Sequence, residues 1–242
     1  MNVIHGTEQR RAHRREEKTE AVLDSAMRLL AEDGLSGLTL AKLAAREGLV
    51  PAALYRYFPS KDALIAAMQR RTVKQLHARL AEHLRELEPA VARLDAKAQA
   101  LARLLSLGGF YVEVSEAAPE AFYLVQALLG DPRPLVSDED AALTAPFLVA
   151  LLADVGELFA AAERVGALPK GDAKPRTLLA WASLQGVLSL RKMGRFDATC
   201  ADSRALSSLA LRTLLLGLGA DAAPLSRAET TLRKTDETNA RK

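Results

Sequence analysis

The feature that most constrains this chain is the spacing of its apolar residues. They recur at helical intervals almost everywhere, and no convincing run of strict alternation marks a strand. Composition points the same way. Hydrophobic residues make up 49% of the 242 positions but aromatics only 5%, so the apolar content comes mainly from Ala, Leu and Val. That favours helix over an aromatic-rich, β-branched sandwich or barrel. The spacing and the Gly/Pro breaks predict an all-α chain of about nine helices. They cover residues 15–32, 40–46, 51–58, 61–87, 89–117, 119–129, 140–165, 173–193 and 201–218. Both termini are polar and aperiodic, and disorder is expected there.

Charge and special residues narrow the function classes. Lys plus Arg number 33 against 30 Asp plus Glu, a net +3, too small a surplus to argue for a nucleic-acid partner by itself. One cysteine, Cys200, excludes an intramolecular disulfide framework. It fits a reducing compartment as a packing residue, with a redox sensor as the other reading. No apolar leader is visible, and the apolar stretch 143–162 is interrupted by Asp154 and Glu157, so a cytoplasmic protein with no membrane partner is expected. Neither His5, His13, His77 nor His83 stands in a metal-ligand spacing, and the chain has no Gly-rich phosphate loop or nucleophile elbow. No catalytic residue, metal site or cofactor is expected.

The chemistry-bearing segment is short. Thr39 reads as the N-cap of a helix with a Leu40, Leu43, Ala44 stripe, Gly48 makes a turn, and Pro51 opens a second short helix that Pro59 ends. Ser60 caps the next helix, with Asp62 in its first turn. Two short helices joined by a Gly turn and buried by a preceding one make a helix-turn-helix head. Tyr55, Arg56, Tyr57 and Lys61 gather around a helix end and a fresh helix start, which suits gripping of phosphate.

From Val22 to Leu64 the chain resembles the DNA-binding head of the tetracycline-repressor (TetR) family. The matching residues are Ala26, Leu29, Leu30, Gly34, Thr39, Leu43, Ala44, Gly48 and the run Leu54-Tyr55-x-Tyr57-Phe58-x-Ser60-Lys61-Asp62-x-Leu64. The resemblance implies phosphate contacts by Thr39, Tyr55, Tyr57 and Lys61, and places Ala41, Lys42, Pro51, Ala52, Ala53 and Arg56 near base edges or the groove wall. Two departures stand out. Val50 occupies the cap position usually held by Ser or Thr, leaving Pro51 to preorganise the turn. Pro51-Ala52-Ala53 offers no side-chain hydrogen bond, so reading falls to thymine-methyl contact and to Arg56 and Lys42. Arg10, Arg11, Arg14 and Arg15 form a basic arm, diluted by Glu8, Glu16 and Glu17. It suits a minor groove or a plain solvated terminus.

The implied plan is a flexible basic arm (1–14), a helix-turn-helix domain (15–60), a helical effector-binding and dimerisation domain (61–219) and a flexible tail (220–242). Phe110, Tyr111, Phe122, Tyr123, Phe147, Phe159 and Trp181, with Gln126 and Gln185 as orienting groups, are the expected effector pocket, the alternative being a filled bundle core. Glu113 and Glu116, one turn apart, suit a cationic ligand or a solvated face. Small residues at helical spacing, Ser183 and Gly186 with Leu206, Ala210, Thr213, Leu214 and Gly217, predict a homodimer interface like the family's. The expected protein is a dimeric regulator, most often a repressor, that binds a double-stranded inverted-repeat operator and is released by a small, mostly apolar effector. The other reading is an architectural or partner-binding DNA protein of the same type without an effector.

Overall fold

The computed structural model describes residues 3–130, 134–196 and 202–239, and among them every regular element is helical. The helices are α1 (Val3–Gly37), α2 (Leu40–Arg46), α3 (Pro51–Tyr55), α4 (Lys61–Val91), α5 (Ala96–Ala117), α6 (Pro119–Gly130), α7 (Asp138–Arg164), α8 (Ala173–Ser189), α9 (Ser203–Gly217) and α10 (Ala222–Asn239), with a 3-10 turn at Leu190–Arg195 between α8 and α9. Cys200 lies outside the described residues.

The local signals act as their chemistry requires. Gly34 interrupts α1 at φ 67°, a conformation that costs a residue with a Cβ. Gly48 turns the chain at φ 64°. Thr39 caps α2 by accepting from the Lys42 N–H at 3.2 Å, and Ser60 caps α4 by accepting from the Ala63 N–H at 3.0 Å. Val50 caps α3 without a side-chain hydrogen bond, and Pro51 supplies the fixed φ of the first turn.

Three expectations are corrected. The break expected at Pro89 falls later, because α4 runs on to Val91 with the proline in its last turn. A proline there forfeits one bond near an end that frays anyway. α5 consequently starts at Ala96, capped by Asp95, which accepts from the Ala98 N–H at 3.2 Å. The flexible tail expected from 220 is instead α10, which packs along α5. Leu225 and Ala228 are sealed from solvent, and Arg227 donates to Asp95 at 2.7 Å. The basic arm belongs to α1, which already begins at Val3.

The chain divides into two compact units. The first runs through Lys74 and takes in Glu120–Phe147. Its core joins Val22, Ala26, Leu29, Leu30, Leu43, Leu54 and Phe58 to Leu64 and Met68 of α4, and to Leu124 and Val136. The head is therefore larger than the 15–60 segment: Gln69 donates to the Leu124 carbonyl at 3.3 Å, and Thr144 to the Ala66 carbonyl at 3.4 Å. The second unit comprises Gln75–Pro119 and the chain from Leu148 onward. α5 is its central helix, packed by α9 and α10. Gly108 permits a close α5–α9 approach, since a Cβ there would lie 3.3 Å from Leu211 Cδ1. By length and composition α7 is the one described helix apolar enough to cross a bilayer.

Candidate nucleic-acid interface

The head presents α3 outward. Val50 is 68% exposed and Tyr55 52% exposed, and Pro51, Ala52 and Arg56 are exposed with Ala53 half-buried. Leu54 and Phe58 face inward and are buried. One short helix thus puts its apolar residues into the core and leaves its start and its aromatic end free. Tyr57 divides its role, packing against the head core while half-exposed.

The cations around this surface are held by the protein itself. Lys61 Nζ donates to the Leu35 carbonyl at 2.7 Å, tying the start of α4 to the end of α1. An ammonium carries three donors, so two remain. Lys42 Nζ pairs with Asp33 at 3.1 Å, which draws its ammonium toward the end of α1 and leaves two of its donors. Ala41 is exposed beside it. Arg15 is brought to the same edge from α1: its Nη2 donates to the Arg56 carbonyl at 3.5 Å, and its guanidinium carbon lies 6.0 Å from the Tyr57 ring centre. The basic arm thereby contributes one defined residue to the surface. Its sequence signal was only a cluster of arginines.

α2 is braced from behind. Arg46 grips Glu32 with two hydrogen bonds of 2.6 and 2.7 Å. That bidentate bond holds the Glu32 carboxyl below its ordinary range and pushes the guanidinium up. Ser25 donates to Glu47, and Arg28 donates to Ser25 at 2.9 Å. The α1–α2 angle, and with it the position of Thr39, rests on these side-chain bonds between α1 and the α2 end.

The expected effector residues are divided between the units. In the first, Phe122 is buried, Tyr123 exposed and Gln126 half-buried, and Phe147 has Lys74 Nζ 4.4 Å from its ring centre. In the second, Tyr111 donates to Gln185 Oε1 at 2.7 Å and takes a hydrogen bond from Trp181, while burial pushes its phenol well above the ordinary range. Phe159 is sealed in the core. Phe110 alone of the expected set lines the cavity of about 690 Å³ that the second unit contains. Its walls include His83, Glu86 and residues of α10. The sequence reading missed these because it took α10 for a tail.

The expected dimer residues lie on α8 and α9, which pack on each other within the chain. Gly186, Thr213 and Gly217 are exposed, while Ser183, Leu206, Ala210 and Leu214 are half-buried. A Cβ on Gly186 or Gly217 would meet nothing within 4 Å. Leu178, Leu179 and Leu209 on the same helices are exposed.

Residues 22–68 match the family model of bacterial regulatory proteins, tetR family. An HTH-type transcriptional regulator of the dhlA 5′ region in Xanthobacter autotrophicus is 36% identical over 99 residues, 41% of this chain and 47% of that protein. The HTH-type regulator BetI of Burkholderia thailandensis is 36% identical over 69 residues, 28% of this chain and 35% of that protein. The chain thus spans less than half the length of these relatives. Among solved structures, a Rhodococcus sp. RHA1 protein of unknown function superposes with TM-score 0.62 at 26% identity, over 83% of this chain and 94% of that one. A tetR-family regulatory protein from Rhodococcus RHA1 superposes with TM-score 0.59 at 19% identity, over 84% of this chain and 97% of that one. Residues 22–68 are thus a head of the kind found in bacterial regulatory proteins of the tetR family, and the chain as a whole shares the fold of these solved structures.

Proposed function

We propose that the protein is a cytoplasmic repressor that binds an inverted-repeat operator as a homodimer and releases it when a small, largely apolar effector binds. The observation that carries the DNA-binding half is the exposed edge of α3. Tyr55, Arg56, Tyr57, Lys61 and Arg15 surround a helix end whose apolar side is locked into the head. Thr39, Tyr55, Tyr57 and Lys61 grip phosphates. Arg56, the Pro51–Ala53 start of α3, Ala41 and Lys42 face the major groove. A five-residue recognition helix reads few bases, so useful affinity needs two heads on two half-sites. Gly186, Gly217 and the exposed leucines of α8 and α9 support the pairing surface. Bound across a promoter, such a dimer excludes polymerase.

The test is selection from random duplexes followed by fluorescence anisotropy on the selected site. An inverted repeat bound by two chains is the expected result. Selection of no repeat, or binding by single chains, overturns the reading. A second reading, an architectural DNA protein without effector, is favoured by one observation: the Trp181–Tyr111–Gln185 group satisfies its own hydrogen bonds. Calorimetry separates the two. An effector that releases DNA must bind more weakly when operator saturates the protein, by the same factor as it weakens the operator, typically about 5- to 150-fold.

A further inference from the structure

The cavity of the second unit shares only Phe110 with the expected aromatic cluster, and its chemistry is different. It has a volume of about 690 Å³ and is walled by α4, α5, α10 and the start of α9. That volume lies within the range of small-molecule sites. Its floor is an aromatic pair: the His83 and Phe110 rings lie 5.1 Å apart, tilted by 39°. His83 Nε2 is buried with no hydrogen-bond partner, a polar atom that the fold leaves unsatisfied. Burial holds the imidazole below its ordinary pKa against the pull of Glu113, Glu86 and Asp236, so the ring contributes no positive charge near neutrality.

Carboxylates surround this floor. Glu113 is shared with Arg79 at 3.2 Å, whereas Glu86 and Asp236 line the cavity without an ion pair among the described residues. Arg204 and Arg233 also line the cavity, outnumbered there by Glu86, Glu113, Asp202, Glu229 and Asp236. A negative rim over an aromatic face attracts a cation. We propose that this cavity binds a small organic ammonium ion, its charged head set among Glu86, Glu113 and Asp236 and its apolar part against Phe110 and His83.

The site stands independently of operator binding, so its test uses the full-length protein without DNA. The probes are 2-phenylethylamine, the neutral 2-phenylethanol and the anionic 3-phenylpropionate, titrated by calorimetry at low salt. The amine is expected to bind at least about tenfold tighter than the alcohol, with the carboxylate weakest of the three. The double variant Glu86→Gln/Asp236→Asn removes two unpaired surface charges. It is expected to keep its melting temperature and lose at least about fivefold in amine affinity, with the alcohol unchanged. Equal binding of amine and alcohol, tighter binding of the carboxylate, unchanged amine affinity in the folded double variant, or no amine binding up to about 10 mM would each overturn the proposal.

Discussion

Lys61 and Arg56 sit five positions apart, and the proposed function gives them different parts on DNA. Lys61 is pinned by one hydrogen bond to the Leu35 carbonyl, which leaves the other two donors of its ammonium for the proposed phosphate contact. Lys61→Ala should therefore weaken binding to every duplex and lower the salt slope by about one. Arg56→Ala should cost about 1 to 3 kcal/mol at one base position and relax preference there. Anisotropy against a panel of single-base variants distinguishes the two patterns, and a uniform loss on Arg56→Ala would reassign it to phosphate. His83 supplies a pH prediction. Burial lowers its pKa in the fold from 6.5, so between the folded value and 6.5 the unfolded chain binds more protons. Stability is then fully present above 6.5 and declines as pH falls through that window. Urea midpoints should drop on acidification below pH about 6.5, and the drop should shrink in His83→Phe. An unchanged drop would place the proton uptake elsewhere. The head residues were legible because capping and turn chemistry are local: Thr39, Gly48, Pro51 and Ser60 each act within a few positions. The partners of Lys42, Lys61 and Arg15 were not legible, since each is set by a second helix arriving alongside.

At the scale of the element, α10 carries the clearest consequence. Its apolar stripe is Leu225, Ala228 and little more, within a helix rich in Thr, Arg and Glu. A stripe so sparse looks like a solvated tail when read alone. Packing on α5 makes it a helix, with Arg227–Asp95 and Arg212–Glu229 as ties. Leu225 is sealed from solvent, and Leu225→Ala should cost about 2 to 5 kcal/mol by equilibrium urea denaturation. A loss below about 0.5 kcal/mol would mean that α10 is detached in solution. Asp95 adds a pH signature. Its carboxyl is held low by the hydrogen bonds of Arg227 and then of the Ala98 N–H. The stability it contributes is present above the ordinary carboxylate range and is lost as pH falls through its depressed folded value. Amide exchange along α10 should quicken on acidification through that window in the wild type. The effect should be absent in Asp95→Asn.

For the molecule as a whole, the open faces of α8 and α9 are where the proposed pairing of two copies is put to the test. No atom lies within 4 Å of where a Cβ of Gly186 or Gly217 would sit, so leucine at both positions should leave the protomer intact and even favour its helices by about 1 kcal/mol each. If these faces pair two copies, sedimentation should give dimers for the wild type and folded monomers for Gly186→Leu/Gly217→Leu. A monomeric wild type at micromolar concentration would remove the two-headed geometry, in which recognition helices must lie about 34 to 36 Å apart. By itself the sequence determined the all-helical class, most of the helix breaks and the whole local design of the head. Helical periodicity, caps and positive-φ glycines are written within a turn or two of chain. Only the tertiary structure decided that the head's core extends to Leu124 and Val136, that α10 is a helix, and that the cavity of the second unit is rimmed by Glu86, Glu113 and Asp236. Each of those depends on side chains brought together from distant stretches of chain. Helical periodicity shows which face of a helix is buried, and tertiary packing selects what that face is buried against.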